Sequence, residues 1–121
     1  MAWKFSGDRA VYLQIAERIK KEVLSGAYPP GEQIPSVRQL ALEAAVNPNT
    51  VQKALQLLEE EGLIITRATL GKFVTPDHLL ISRLKSEMQK QTLKGWVEDM
   101  HAIGITTEEI IEFLKKEETG E

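Results

Sequence analysis

The chain has 121 residues, 42% of them hydrophobic, with a net charge of −3 and no cysteine, which suits one globular domain with a small appendage. Without cysteine, disulfides and thiolate zinc sites are excluded, and no apolar stretch reaches secretory or bilayer-spanning length, so the protein is expected in the cytoplasm and away from membranes. Nine Lys and Arg stand against eight Asp and Glu through Pro76, but six against ten from Asp77 onward, so the first part can present a local basic face despite a pI near 5.5.

Tyr12, Ile15, Ala16, Ile19 and Val23 recur at helical spacing and predict a helix from about Val11 to Leu24. Ser25-Gly26 and then "YPPG" cannot continue it. "PSVRQLALEA" opens the next helix. Ser36 and Gln39 have the spacing of a capping box, and Val37, Leu40, Ala41 and Ala44 form its buried stripe. About four residues later Asn47 and Pro48 supply an N-cap and a first helical residue, so a third helix runs from about Pro48 to Glu61 and stops at Gly62. At about 100° per residue, Val51, Ala54, Leu55 and Leu58 share its buried side. Asn49, Gln52, Lys53 and Gln56 lie opposite, within about 60° of one another's centre, with no carboxylate before Glu59 and Glu60. Amides and amines of this kind match base edges and phosphates. An ordinary solvated helix face has the same composition.

Two tightly joined helices, the second with a polar outer face, suit a helix-turn-helix, although the turn "EAAVN" has no glycine. "LIITRATLGKFVTP" then predicts a hairpin pairing Ile64–Arg67 with Lys72–Thr75, and Ile34 can add a short third strand. Three helices and a hairpin make a winged helix with Arg67 and Lys72 flanking its tip. Those cations suit the DNA backbone; protection of an edge strand by charge is the other reading.

Asp77 can cap a long helix reaching about Ile103. Its apolar residues change face part-way: Ile81, Leu84 and Met88 form one stripe, and Leu93, Trp96, Val97 and Met100 another, turned by roughly 100°. Two faces need two packing partners, here the chain's own winged helix and a second subunit. After Gly104, Thr106 and Glu109 form a second capping box, with Ile105 and Ile110 placed as a hydrophobic staple. The short last helix carries Ile110, Ile111, Phe113 and Leu114, too much apolar surface to leave in water. A homodimer follows, with Leu93, Trp96, Val97, Met100, Ile110, Phe113 and Leu114 at its interface. A monomer with both helices folded back on the winged domain is the alternative. "KKEETGE" has no periodicity and is expected to fray.

Residues 11 to 75 resemble the DNA-binding domain of the GntR family of bacterial transcription regulators, in "YLQIAERIKKEVLSGAYPPGEQIPSVRQLA", "VNPNTVQKALQLLEEEGLI" and a wing ending "GKFV". The "NPNTV" signature, the short length and the run through "IGITTEEI" are similar to the YtrA subfamily, in which two helices follow the wing. Wing tips there commonly read Arg-Gly-x-Gly-Thr-Phe-Val, whereas this chain has "RATLGKFV" with one glycine. Arg38 matches the arginine of the "PSxRxLA" motif that contacts DNA in the family. The resemblance implies a dimeric repressor acting on a two-fold symmetric operator, with targets that include membrane-transporter genes and its own operon.

The expected architecture is therefore mainly α with a small β-hairpin wing: a winged helix-turn-helix over residues 1–76 and a two-helix dimerisation region over 77–121. Arg38, Lys53, Arg67 and Lys72 are assigned to phosphates or guanine. Asn49, Thr50, Gln52 and Gln56 are assigned to bases, and Ser36 to backbone contact beside its capping role. No cofactor is expected. With two histidines and no cysteine, catalytic constellations are scarce. Glu98 and His101 have metal-ligand spacing on a helix but no second pair to complete a site. A small-molecule effector would have to sit at a domain or subunit junction. A winged helix that binds protein instead of DNA remains the competing function, and it would show an apolar or acidic patch on the third helix.

Overall fold

The computed structural model describes residues 3–120, which form five helices and one hairpin in the order α1 (Val11–Ser25), α2 (Val37–Ala44), α3 (Pro48–Glu60), β1 (Ile64–Arg67), β2 (Gly71–Val74), α4 (His78–Ala102) and α5 (Thr107–Thr119). Packing divides the chain into two compact units, one ending at Leu84 and the other starting at Lys85.

In the first unit, α1 and α3 pack together and α2 packs on α3. Ile15, Ile19, Leu40, Val51, Ala54 and Leu55 are fully buried between them. At roughly 2 kcal/mol for each large aliphatic side chain removed from water, this shared core is the main term that holds the three helices in place. The starts of the helices are fixed locally. Ser36 Oγ accepts a hydrogen bond from the Gln39 backbone N–H while Gln39 Oε1 accepts one from the Ser36 N–H. Asn47 Oδ1 accepts from the Asn49 N–H, with Pro48 at the first helical position.

Between α2 and α3 the turn is closed by Ala45, in the left-handed region at φ 58°, with the Val46 N–H donating to the Ala41 carbonyl. An alanine there costs about 1 kcal/mol relative to glycine; the turn forms nonetheless because the helices on both sides are anchored in the core.

Gly62, at φ +84°, stops α3, and a Cβ at this position would meet Leu80 Cδ2 at 3.2 Å. The hairpin pairs Ile64 with Val74 and Arg67 with Gly71. Its second strand begins one residue earlier than the sequence suggests. Beyond Val74 the ladder gains one more bond, Thr75 N–H to the Leu63 carbonyl, before Pro76, which has no N–H, ends it. The third strand is reduced to a single bridge between Gln33 and Phe73, supported by the Ile34 N–H donating to the Lys72 carbonyl.

Asp77 Oδ1 caps α4 by accepting from the Leu79 and Leu80 N–H groups. Leu84 is the one buried residue of that helix, while Ile81 and Met88 are half-buried. In the second unit, Thr106 and Glu109 form both halves of the α5 capping box. That helix continues to Thr119, with Gly120 as a left-handed C-cap, so the expected fraying of "KKEETGE" is corrected for residues 115–119; Glu121 lies outside the described residues. Glu and Lys are good helix formers, the Lys116–Glu112 pair is spaced one turn apart, and Lys116 in the last turn complements the helix dipole.

Candidate nucleic-acid interface

The core sets the orientation of α3. With Val51, Ala54, Leu55 and Leu58 turned inward, Asn49, Gln52, Lys53 and Gln56 are all exposed, and Thr50 is half-buried at the edge. The four polar residues assigned from the helical wheel thus share one solvent-facing side. Glu59 and Glu60 follow only in the last turn of this helix, and Glu59 is turned to the wing, where it pairs with Lys72.

The four expected cations differ in their surroundings. Lys53 Nζ lies 4.0 Å from the centroid of the Tyr12 ring on α1. Arg67 is placed over the Phe73 ring at 5.0 Å. An aromatic face restrains a cation without neutralising it, so both side chains are ordered yet keep their charge for an anion. Arg38 is exposed on the first turn of α2 and has no carboxylate partner among the described residues. Lys72 is different. Its ammonium is held by the Glu59 carboxylate and lies 2.9 Å from Thr66 Oγ1, while Thr66 Oγ1 donates to Glu59 Oε1 at 2.9 Å. Only 15% of the Lys72 side chain is exposed. Its charge is already compensated by Glu59, and in the free protein it fastens the outer part of the wing to the end of α3.

Ser36 stands at the N-terminus of α2 with its hydroxyl oxygen engaged by the capping box; its own proton remains available to an acceptor. Tyr12, Glu59, Thr66 and Phe73 belong to this surface and were not found from the sequence. Tyr12 meets Lys53 across the packing of α1 on α3, and Glu59, Thr66 and Phe73 meet their partners through the register of the hairpin and its placement on α3.

The second unit carries a separate feature. Leu93, Trp96, Val97 and Met100 of α4, with Ile105 and then Ile110, Phe113 and Leu114 of α5, line an apolar cleft of about 570 Å³. Trp96 is 65% exposed, Phe113 62% and Leu114 55%, an apolar concentration that monomeric surfaces rarely show outside interaction sites. Glu98 and His101 do not converge: Lys94 pairs with Glu98, and His101 Nε2 contacts Thr107 Oγ1 at 3.0 Å. Among the described residues no three His, Cys, Asp or Glu side chains are grouped to hold a metal. Nor is any described helix long and apolar enough to cross a membrane.

Comparison with known proteins converges on one family. Residues 11–74 match the family model "Bacterial regulatory proteins, gntR family". The uncharacterized HTH-type transcriptional regulator YhcF of Bacillus subtilis is 34% identical over 112 residues, covering 93% of each chain. The HTH-type transcriptional repressor YtrA of the same organism is 36% identical over 107 residues, covering 88% of this chain and 82% of its own. A GntR family transcriptional regulator from Listeria monocytogenes superposes with a TM-score of 0.86 at 37% identity, over 93% of this chain and 98% of that one. The DNA-binding domain of AraR, solved in complex with operator ORX1, matches 60% of this chain and 93% of its own at a TM-score of 0.54 and 27% identity. The chain is therefore a transcriptional regulator of the GntR family, and residues 11–74 are its DNA-binding domain.

Proposed function

We propose that the protein is a cytoplasmic, homodimeric repressor that binds a two-fold symmetric DNA operator, placing one α3 in the major groove of each half-site. The observation that carries this reading is the exposed side of α3 formed by Asn49, Gln52, Lys53 and Gln56, which carries no carboxylate until Glu60 in the last turn. In this reading Asn49, Thr50, Gln52 and Gln56 contact or orient on bases. Lys53, Arg38 and Arg67 hold phosphates or guanine, and the Ser36 hydroxyl donates to the backbone. Lys72 joins them with its charge already compensated by Glu59. Residues 1–76 supply DNA binding and 77–121 supply dimerisation, through the apolar cleft centred on Trp96 and Phe113. The repressor named among the relatives supports the sign of regulation, and the operator complex of AraR supports duplex DNA as the partner.

The assignments separate experimentally. Lys53→Ala should weaken binding to every duplex and flatten the dependence of log affinity on log salt by about one unit. Gln52→Ala should cost roughly 1–3 kcal/mol at one base position only. If both variants bound a selected duplex as the wild type does, the face assignment would be wrong.

A further inference from the structure

We infer that Gln33 is a positioning residue for the wing: its side-chain amide fixes the wing tip relative to the N-terminus of α2 and so sets how the wing meets DNA. This inference rests on the DNA-binding reading above.

Gly31–Ile34 is tied to β2 by the Gly31 N–H to the Val74 carbonyl at 3.0 Å, the Val74 N–H to the Glu32 carbonyl at 2.8 Å and the Ile34 N–H to the Lys72 carbonyl at 3.0 Å. Ile34 is itself buried in the core, and Ser36, two residues on, is the N-cap of α2. The segment is thus anchored at one end and continuous with the helix-turn-helix at the other. From it the Gln33 side chain reaches into the wing tip, where Nε2 donates to the Leu70 carbonyl at 2.6 Å. Leu70 lies in the loop beyond the last strand pair, Arg67 with Gly71.

The one glycine of the wing makes this contact possible. A Cβ on Gly71 would stand 2.5 Å from Gln33 Nε2, and the backbone there has φ +119°, a region in which side chains are strained. The rest of the tip is poorly self-supporting. Ala68 adopts φ 39°, and one backbone bond, Leu70 N–H to the Arg67 carbonyl, closes the turn. The Glu59–Lys72–Thr66 cluster fixes the strand pair next to the last one; Gln33 fixes the loop beyond them. A wing ordered in advance loses less conformational freedom on binding, and its Arg67 arrives already placed.

The test uses the full chain with Gln33→Ala and Gln33→Leu, the second keeping side-chain bulk without the N–H donor. In DNA-free protein, backbone amide order parameters for residues 68–70 should fall in both variants from values near those of a rigid backbone, about 0.85, toward the flexible range below about 0.6. Affinity for a duplex recovered by selection from random-sequence DNA should fall about three- to tenfold, the range for one lost hydrogen bond. In an Arg67→Ala background the Gln33 substitutions should have no further effect, because the remaining wing cation, Lys72, is held by Glu59 and Thr66 and not by the tip that Gln33 fixes. Unchanged order parameters, unchanged affinity, or an undiminished loss in the Arg67→Ala background would each overturn the inference. Wild-type protein that preferred no duplex would instead remove the DNA-binding reading, and the inference with it; that result is visible before any variant is made.

Discussion

Replacing Trp96 by glutamate probes the proposed dimer where the apolar cleft is widest open to solvent. The residue is 65% exposed within its own chain. A tryptophan has roughly 150–250 Å² to bury, so covering the exposed part removes about 100–160 Å² from water. At about 25 cal/mol per Å² this is worth roughly 2.5–4 kcal/mol for each protomer, and twice that for a two-fold pair. Glutamate forfeits that gain and sets a carboxylate from each subunit against the apolar wall made by Leu93, Val97, Phe113 and Leu114, where an unpaired charge is costly. A loss of about 5 kcal/mol raises the dimer dissociation constant by more than three orders of magnitude. Sedimentation equilibrium at micromolar protein should therefore show wild-type dimer and Trp96→Glu monomer. Far-ultraviolet circular dichroism distinguishes a monomer that keeps α5 from one that loses it, and either is consistent with a cleft filled by a second copy. An unaltered dimer would refute the interface.

Two further outcomes test the winged domain itself. Gly62→Ala should destabilise the fold by about 1 kcal/mol or more, since it combines a positive φ with close approach to Leu80; an unchanged or raised urea midpoint would contradict this. Burial, reinforced by the Glu22 carboxylate, pushes the Tyr28 phenol up from 10.0 to about 12. Because the folded value is the higher, its contribution to stability is complete below about pH 10 and is lost as pH rises toward 12. Thermal melts of Tyr28→Phe should lack that part of the alkaline decline, and a decline of equal size in variant and wild type would show that the phenol is not its source.

The parts of the fold legible in the sequence are those set by neighbours along the chain. Ser36 with Gln39, Asn47 with Pro48, and Thr106 with Glu109 each close a helix start within three or fewer residues, and the 3.6-residue period alone separates the buried Val51, Ala54, Leu55 and Leu58 from the exposed Asn49, Gln52, Lys53 and Gln56. What the sequence did not reveal depends on contacts across the fold. Lys72 and Arg67 look alike as wing cations, yet one is covered by Glu59 and the other rests on Phe73, because alternating residues of a strand face opposite sides. The Tyr12 ring beneath Lys53 depends on how α1 crosses α3. Residues 115–119 lack apolar periodicity but form helix, since Lys and Glu propensity and spaced ion pairs can extend a helix already nucleated at its other end.

The most direct measurement selects bound fragments from random duplex DNA with the wild-type protein and titrates the recovered sequence at several salt concentrations. Two inverted half-sites about one helical turn apart should emerge, with affinity falling steeply as salt rises. Equal binding to all duplexes, even in dilute salt, would contradict the assignment of the outer side of α3 to the major groove.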